Sequence, residues 1–309
     1  MIKLEYECEV LTPMVIGGAG EETTEIRVPS VKGMLRYWWR VMQAYSGITD
    51  INLLREKEGM LFGCIGEKGK ALKSNVSVRS FLQEEPKIDQ NVNFFRYARG
   101  KKSSNKAGLD KGTRFIIQFI INDLPYSTES NKNLSSIDIA KEVQNSFETL
   151  ALLGGLGRRT RRGFGVFKIN KKTQTIIRQG KKDKTILPCI SIDDLLNKVR
   201  KKNEKRMYGL HVEKIITFNS AYENAEDMLE IIDKISHEQR VILSKQYRNR
   251  IDKALGSANK HQSSPLYISV FQHNNKYRLV LTVLAIEPDK TLQEIQNKFI
   301  KELRREYEQ

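Results

Sequence analysis

Between Ile2 and Val10 the chain alternates without a fault. Ile2, Leu4, Tyr6, Cys8 and Val10 fall on one side, and Lys3, Glu5, Glu7 and Glu9 on the other. A period of two with one apolar side marks a half-buried strand. Beyond the glycine-rich turn at 17–20 and the extended run 26–29 the period lengthens: Leu35, Trp38, Trp39, Met42 and Tyr45 recur at helical spacing. Ser30 is placed to cap that helix. Alternation returns at 76–82 and at 113–121. Ser135 or Ser136 opens a second helix with Ala140, Val143, Phe147, Leu150 and Ala151 on one face, and Gly154 ends it where a left-handed residue is wanted. A strand over 164–169 completes the order β-α-β-β-α-β.

That order is the split βαβ of a ferredoxin-like domain, an antiparallel sheet with two helices on one face. A basic linker, 171–184, and a basic helical stretch from Asp193 to about Arg206 follow. Then the pattern comes round again. The spacing predicts a strand over 210–217, a helix from Asn224 to about Tyr247 and a strand over 266–272. An Asn274-Asn275 turn leads to a strand over 277–285, and Thr291 with Glu294 forms the capping box of a last helix. This second unit lacks an obvious final strand, for which the run 184–192 is the candidate. The fold class expected is α+β, two tandem ferredoxin-like (split βαβ, RRM-like) domains. Their bounds are 1–170 and 208–309, with 171–207 as a basic linker or insertion.

No apolar run approaches the roughly 20 residues that cross a bilayer, so no membrane is expected as a partner. The start has no continuous apolar block to direct export, which makes a cytoplasmic protein the expectation. Cys8, Cys64 and Cys189 are far apart and form no zinc spacing. Charge changes the picture more: 53 Lys plus Arg stand against 37 Asp plus Glu, a net +16. Such an excess repels itself unless a polyanion balances part of it, and nucleic acid is the commonest such partner.

The positive charge is most concentrated in Gly154-Gly155-Leu156-Gly157-Arg158-Arg159-Thr160-Arg161-Arg162-Gly163-Phe164-Gly165. Gly154, Gly155 and Gly157 allow close backbone approach, while Arg158, Arg159, Arg161 and Arg162 offer forked donors that suit phosphate. The segment is read as an RNA-backbone cradle. Its end, 162–167, partly matches the RNA-binding strand pattern in which aromatics stack on bases, although Phe164 is expected in the core. Lys32, Arg36 and Arg40 fall at i, i+4 and i+8 of the first helix, a cationic stripe opposite its apolar side. Trp38 and Trp39 point about a quarter turn apart, so one is free to stack on a base or a partner. Lys260 and His261, in a polar loop at 256–266, are further candidates for phosphate or base contact.

Two nucleotide-site look-alikes fail. Gly66-Glu67-Lys68-Gly69-Lys70-Ala71 lacks the first glycine and the Ser/Thr of a P-loop, and Thr160 stands where a dinucleotide fingerprint needs glycine. No cofactor is expected. Catalysis is thinly supported, because all four histidines lie in the second half and no carboxylate cluster suggests a metal. A metal-independent ribonuclease using His261 as base is the alternative to a binding protein.

The run Pro29-Ser30-Val31-Lys32-Gly33-Met34-Leu35-Arg36-Tyr37-Trp38-Trp39-Arg40, with Leu61-Phe62-Gly63, the Gly-rich loop after the second helix and Ser264-Pro265-Leu266, carries a further reading. It resembles the RAMP superfamily of the CRISPR systems, and most of all the family of first-numbered Cmr subunits of type III-B effector complexes. The resemblance implies tandem ferredoxin-like domains and no catalytic role. It implies a place at one end of an antiviral ribonucleoprotein beside other Cmr-type RAMP subunits, near CRISPR RNA and the target RNA paired with it. About six phosphate contacts would then lose roughly three decades of affinity between 50 and 200 mM salt.

Overall fold

The computed structural model describes residues 1–17, 24–65, 71–93, 106–122, 135–199, 210–248, 250–257 and 260–308. The sequence expectations at 18–20, 66–70, 99–105 and 200–206 lie outside the described residues.

The first strand, β1 (Ile2–Val10), buries every second side chain along its whole length. After it come α1 (Val28–Tyr45), α2 (Ile51–Phe62), the two-residue strands β2 (Cys64–Ile65) and β3 (Ala71–Leu72), and β4 (Val76–Leu82). A small hairpin of β5 (Ile88–Val92) and β6 (Lys106–Leu109) precedes β7 (Arg114–Ile121), α3 (Ser136–Leu153), β8 (Phe167–Arg178) and β9 (Lys181–Leu187). The main sheet runs β4-β7-β1-β8-β9, antiparallel throughout. β1, the most regular alternator, is the middle strand, as its clean two-sided pattern requires. On its inner side Tyr6 packs on Phe119 and Phe147, and α1 packs against α3.

The second half contains α4 (Ile192–Val199), β10 (Val212–Thr217), α5 (Ala225–Tyr247), α6 (Arg250–Leu255), β11 (Leu266–His273), β12 (Lys276–Leu284) and α7 (Lys290–Tyr307). Its sheet runs β10-β12-β11, antiparallel. Asn274 and Asn275 both take left-handed backbone between β11 and β12, the conformation of a two-residue type I′ turn.

Several expectations are corrected. The stretch 171–184 is no linker: β8 continues to Arg178, turns at Gln179 and Gly180, and pairs with β9 over seven registered residues. The run 184–192 therefore does not complete the second sheet, because its strand portion extends the first. Ser30 lies inside α1, which begins at Val28 with a proline in its first turn and no side-chain cap. Asp289, not Thr291, caps α7, accepting from the backbone N–H groups of Thr291 and Leu292. Ser135 does cap α3, with Asp138 completing a capping box. The helix α2 had no sequence expectation, since its apolar residues cluster at its two ends and form no stripe; Asp50 caps it.

The two halves do not have separate cores. Tyr267, Val280 and Leu284 of the second sheet are buried with the first half's core, while Phe164 and Val166 are buried with the second half's. The Gly-Arg segment runs through this shared seam.

Candidate nucleic-acid interface

Each glycine of the segment solves a different steric problem. Gly154 has φ −125°, so it is not the left-handed cap expected. It is glycine because an added Cβ would lie 2.5 Å from Trp38 Nε1. Gly157, Gly163 and Gly165 do take positive φ, and a Cβ on Gly165 would fall 1.9 Å from the Leu156 carbonyl oxygen. The segment is a tight knot rather than an open cradle. Leu156 N–H donates to Gly165 O at 2.8 Å, Arg158 N–H to Val15 O at 2.9 Å and Gly165 N–H to Pro13 O at 3.0 Å. Arg162 also bridges in parallel to Ile268, so the knot covers the otherwise open edge of β11. Ser269 Oγ seals the seam by donating to the Gly154 carbonyl.

The four arginines divide accordingly. Arg162 donates to Ser236 Oγ, its guanidinium enclosed in the seam. Burial first, then the charges of Arg240 and Arg159, push its pKa down to about 9. Arg159 reaches Asp233 on α5 at 3.9 Å. Arg161 donates to the Ser264 carbonyl, and its guanidinium lies 4.3 Å from the Tyr267 ring centre and 5.6 Å from that of Tyr37. Arg158 alone of the four is exposed, with no side-chain partner among the described residues. Three arginines read as a phosphate grip are thus first a clasp between halves.

The stripe on α1 is likewise partly committed. Arg40 forms a bidentate pair with Glu58 at 2.6 Å on both oxygens. Arg36 donates at 2.6 Å to the carbonyls of Phe62 and Gly63, the negative end of α2, and lies 3.7 Å from Glu58. Lys32 has no carboxylate partner among the described residues. Burial and the Arg36 charge hold its pKa below the usual lysine value. The expectation that Trp38 or Trp39 faces a base is corrected, because both are buried. Trp39 Nε1 donates to Glu142 on α3 at 3.1 Å, and Trp38 packs edge-on against Tyr267 at 5.2 Å. A quarter turn of helix sends one indole to a neighbouring helix and the other to the second half of the chain.

The motifs nevertheless converge. A cleft of about 420 Å³ is lined by Tyr37 of α1, by Arg161 of the knot, and by Gln262, Ser263 and Ser264 of the loop before β11. Lys253 of α6 stands on its rim. Lys260 and His261 belong to the same loop but do not line the cleft. Lys260 pairs with Asp252 at 2.9 Å, and His261 is exposed in a left-handed turn. Tyr37 was read only as part of the 29–40 run, and Tyr267 and Lys253 went unseen in the sequence, where nothing links residues so far apart to Arg161. Among the described residues no cluster of His, Cys, Asp or Glu is arranged to hold a metal ion.

The outer face of the main sheet is not a base-stacking platform. Glu5, Glu7 and Glu9 occupy its centre, tied to Lys3, Lys171 and Lys168 at 2.8, 3.1 and 3.4 Å. Phe164 and Phe167, the aromatics of the partial RNA-binding pattern, are both buried.

A family model described as the RAMP superfamily matches residues 7–168, more than half of the chain, and the chain belongs to that superfamily. Within it, the chain is similar to two proteins of Pyrococcus furiosus. It is 24% identical to CRISPR system Cmr subunit Cmr1-2 over 193 residues, 57% of this chain and all of that one. It is 26% identical to subunit Cmr1-1 over 179 residues, 56% of this chain, and so spans about half (49%) of that relative's length. Among solved structures, Cmr1 from P. furiosus in its apo form matches at TM-score 0.58 and 19% identity, covering 96% of this chain and 97% of that one. A chain of the type III-B Cmr-beta complex bound to cognate target RNA and AMPPnP matches at TM-score 0.60 and 13% identity, covering 98% of each. These likenesses show a shared fold. No helix among the described residues is long and apolar enough to cross a membrane.

Proposed function

We propose that this chain is a non-catalytic RNA-holding subunit of a type III-B CRISPR (Cmr) effector complex, built from two ferredoxin-like units. In this reading other Cmr-type RAMP subunits flank it in the cytoplasm, and it holds CRISPR RNA, its paired target, or both. The observation that carries the reading is the meeting of three sequence motifs at one cleft, through Tyr37, Arg161 and residues 262–264. The strand order supports the two units. Numbered by place in β-α-β-β-α-β, the first sheet runs 2-3-1-4 before β9, and the second runs 1-3-2. The sequence relatives named as Cmr subunits support the assembly.

Sequence is read by base pairing in such a complex, so this protein has only to hold backbone. Arg161, fixed between two tyrosines, presents a pre-oriented fork to a phosphate at little entropic cost. Lys32 and Arg158 supply unpaired charge. Three contacts predict a salt slope of roughly 2 on a short single strand, at about 0.7 per phosphate. Titrating two unrelated RNAs of about six nucleotides against the full chain at several salt concentrations tests this. Combined Lys32→Ala and Arg158→Ala changes are expected to weaken both RNAs equally. No binding by the unchanged protein, or loss for only one RNA, overturns the reading. Incubating labelled guide precursor with the protein in EDTA is expected to leave it whole, and discrete products lost on His261→Ala would make it a ribonuclease instead.

A further inference from the structure

The stretch from Lys168 to Lys184 is a second concentration of positive charge, and its cations behave differently from those of the knot. Near the base of β8, Lys168, Lys171 and Lys172 are paired with Glu9, Glu7 and Glu148. Around the turn the pattern changes. Arg178, Lys181 and Lys182 have no hydrogen-bond or ion-pair partner among the described residues, and β9 is exposed over six of its seven positions. Asp183 is the one acid of the strand, and the Lys184 charge also bears on Glu5, already bonded to Lys3.

The tip is also well fixed. Arg178 stands opposite Lys181, Gln179 and Gly180 take the left-handed conformation between them, and Ile177 exchanges backbone hydrogen bonds with Met1 at 2.9 and 3.2 Å. The positive charges are therefore held on a stiff hairpin rather than a loose tail, which lowers the entropy lost on binding. Like charges this close repel one another, and Asp183 is the one acid of β9 to offset them. They favour a partner with a regular row of anions.

We propose that the β8–β9 tip is a second backbone grip for the RNA held at the Arg161 cleft, a contact that rests on the RNA-holding reading. The knot that carries Arg161 precedes β8, and the tip closes the far end of that strand. β8 itself, twelve residues at roughly 3.3 Å each, spans about 40 Å. Stacked as in a duplex, a strand presents a phosphate about every 3.4 Å and covers that length with on the order of ten nucleotides. Short RNA reaches one grip, and long RNA reaches both.

The test compares the unchanged chain with a triple variant, Arg178→Ala, Lys181→Ala and Lys182→Ala, on single-stranded RNAs of about 6 and 30 nucleotides. On the long RNA, removing three phosphate contacts is expected to lower the salt slope by about 2; on the short one, binding should be unchanged. A second variant with the same three positions changed to glutamine keeps the side-chain bulk and should behave as the alanine variant does. If the unchanged chain binds neither RNA, the RNA-holding reading itself fails. If both RNAs bind as before in the variants, only the second grip is overturned. The second grip is overturned as well if RNA binding is intact and the variants instead lose a protein subunit on assembly, which would make the hairpin a protein contact.

Discussion

The Gly-Arg knot and the β8–β9 hairpin carry similar charge in the sequence and use it in opposite ways. In the knot, glycines let backbone from three parts of the chain come together, so arginines between them are drawn in and meet Asp233, Ser236, Ser264 and Tyr267. At the tip of the hairpin, the sheet edge leaves Arg178, Lys181 and Lys182 exposed. What surrounds a charge decides its use. Arginine beside glycine at a seam becomes a fastener, whereas lysine on an edge strand stays available.

The sharpest way to break the contrast is through its glycines. Gly165 combines φ 67° with the 1.9 Å overlap at Leu156 O, while Gly180 has φ 77° with nothing within 4 Å. Gly165→Ala is expected to cost more than about 4 kcal/mol, enough to unfold the seam, and Gly180→Ala only about 1 kcal/mol of left-handed strain. Chemical denaturation of the two variants compares them directly.

Next in size is the carboxylate of the seam. Asp233 lies 3.9 Å from Arg159 and its charge bears on Arg162, which is held well below its ordinary pKa by burial and by like charges. Asp233→Ala should cost about 3 kcal/mol. Arg162→Met, which removes a repelled charge and keeps the length of the side chain, should show no loss in thermal unfolding. A large loss there would mean the Arg162 charge is needed.

A smaller effect separates the clasp from the grip. Arg161→Lys keeps the charge but loses the planar stack on Tyr37 and Tyr267. RNA affinity should fall by about 1 kcal/mol in a titration at fixed salt, with the salt slope unchanged. The smallest effect concerns Glu142, whose carboxyl burial holds above its usual value despite bonds from Trp39 and Gln43. The folded protein binds that proton before the unfolded chain does. Stability of the unchanged protein should thus gain, relative to Glu142→Gln, as pH falls from 7 toward 4.5, by less than about 1 kcal/mol.

Much of the scaffold was legible because period-two and helical spacing are local. The bounds of β4, the Ser135 cap and the Asn274-Asn275 turn all follow from neighbouring residues. The seam was not legible, since it depends on contacts between residues 74 or more positions apart. The Trp38-Trp39 pair shows the limit. Helical spacing put the two indoles a quarter turn apart, but only the folded chain shows that Tyr267 and Glu142 fill both directions. The basic run after Ile169 failed as a strand for a simpler reason: lysines on both faces erase the alternation by which a strand is recognised.

Because β8 begins beside the knot and ends at the hairpin turn, the strand acts as a measuring rod. A single added residue would swap inner for outer side chains from that point on, sending Lys172 away from Glu148. Outside the bulge that already absorbs one residue at Asn170, the rod can be lengthened without scrambling its faces only in steps of two residues, so the gauge between its ends has few allowed settings.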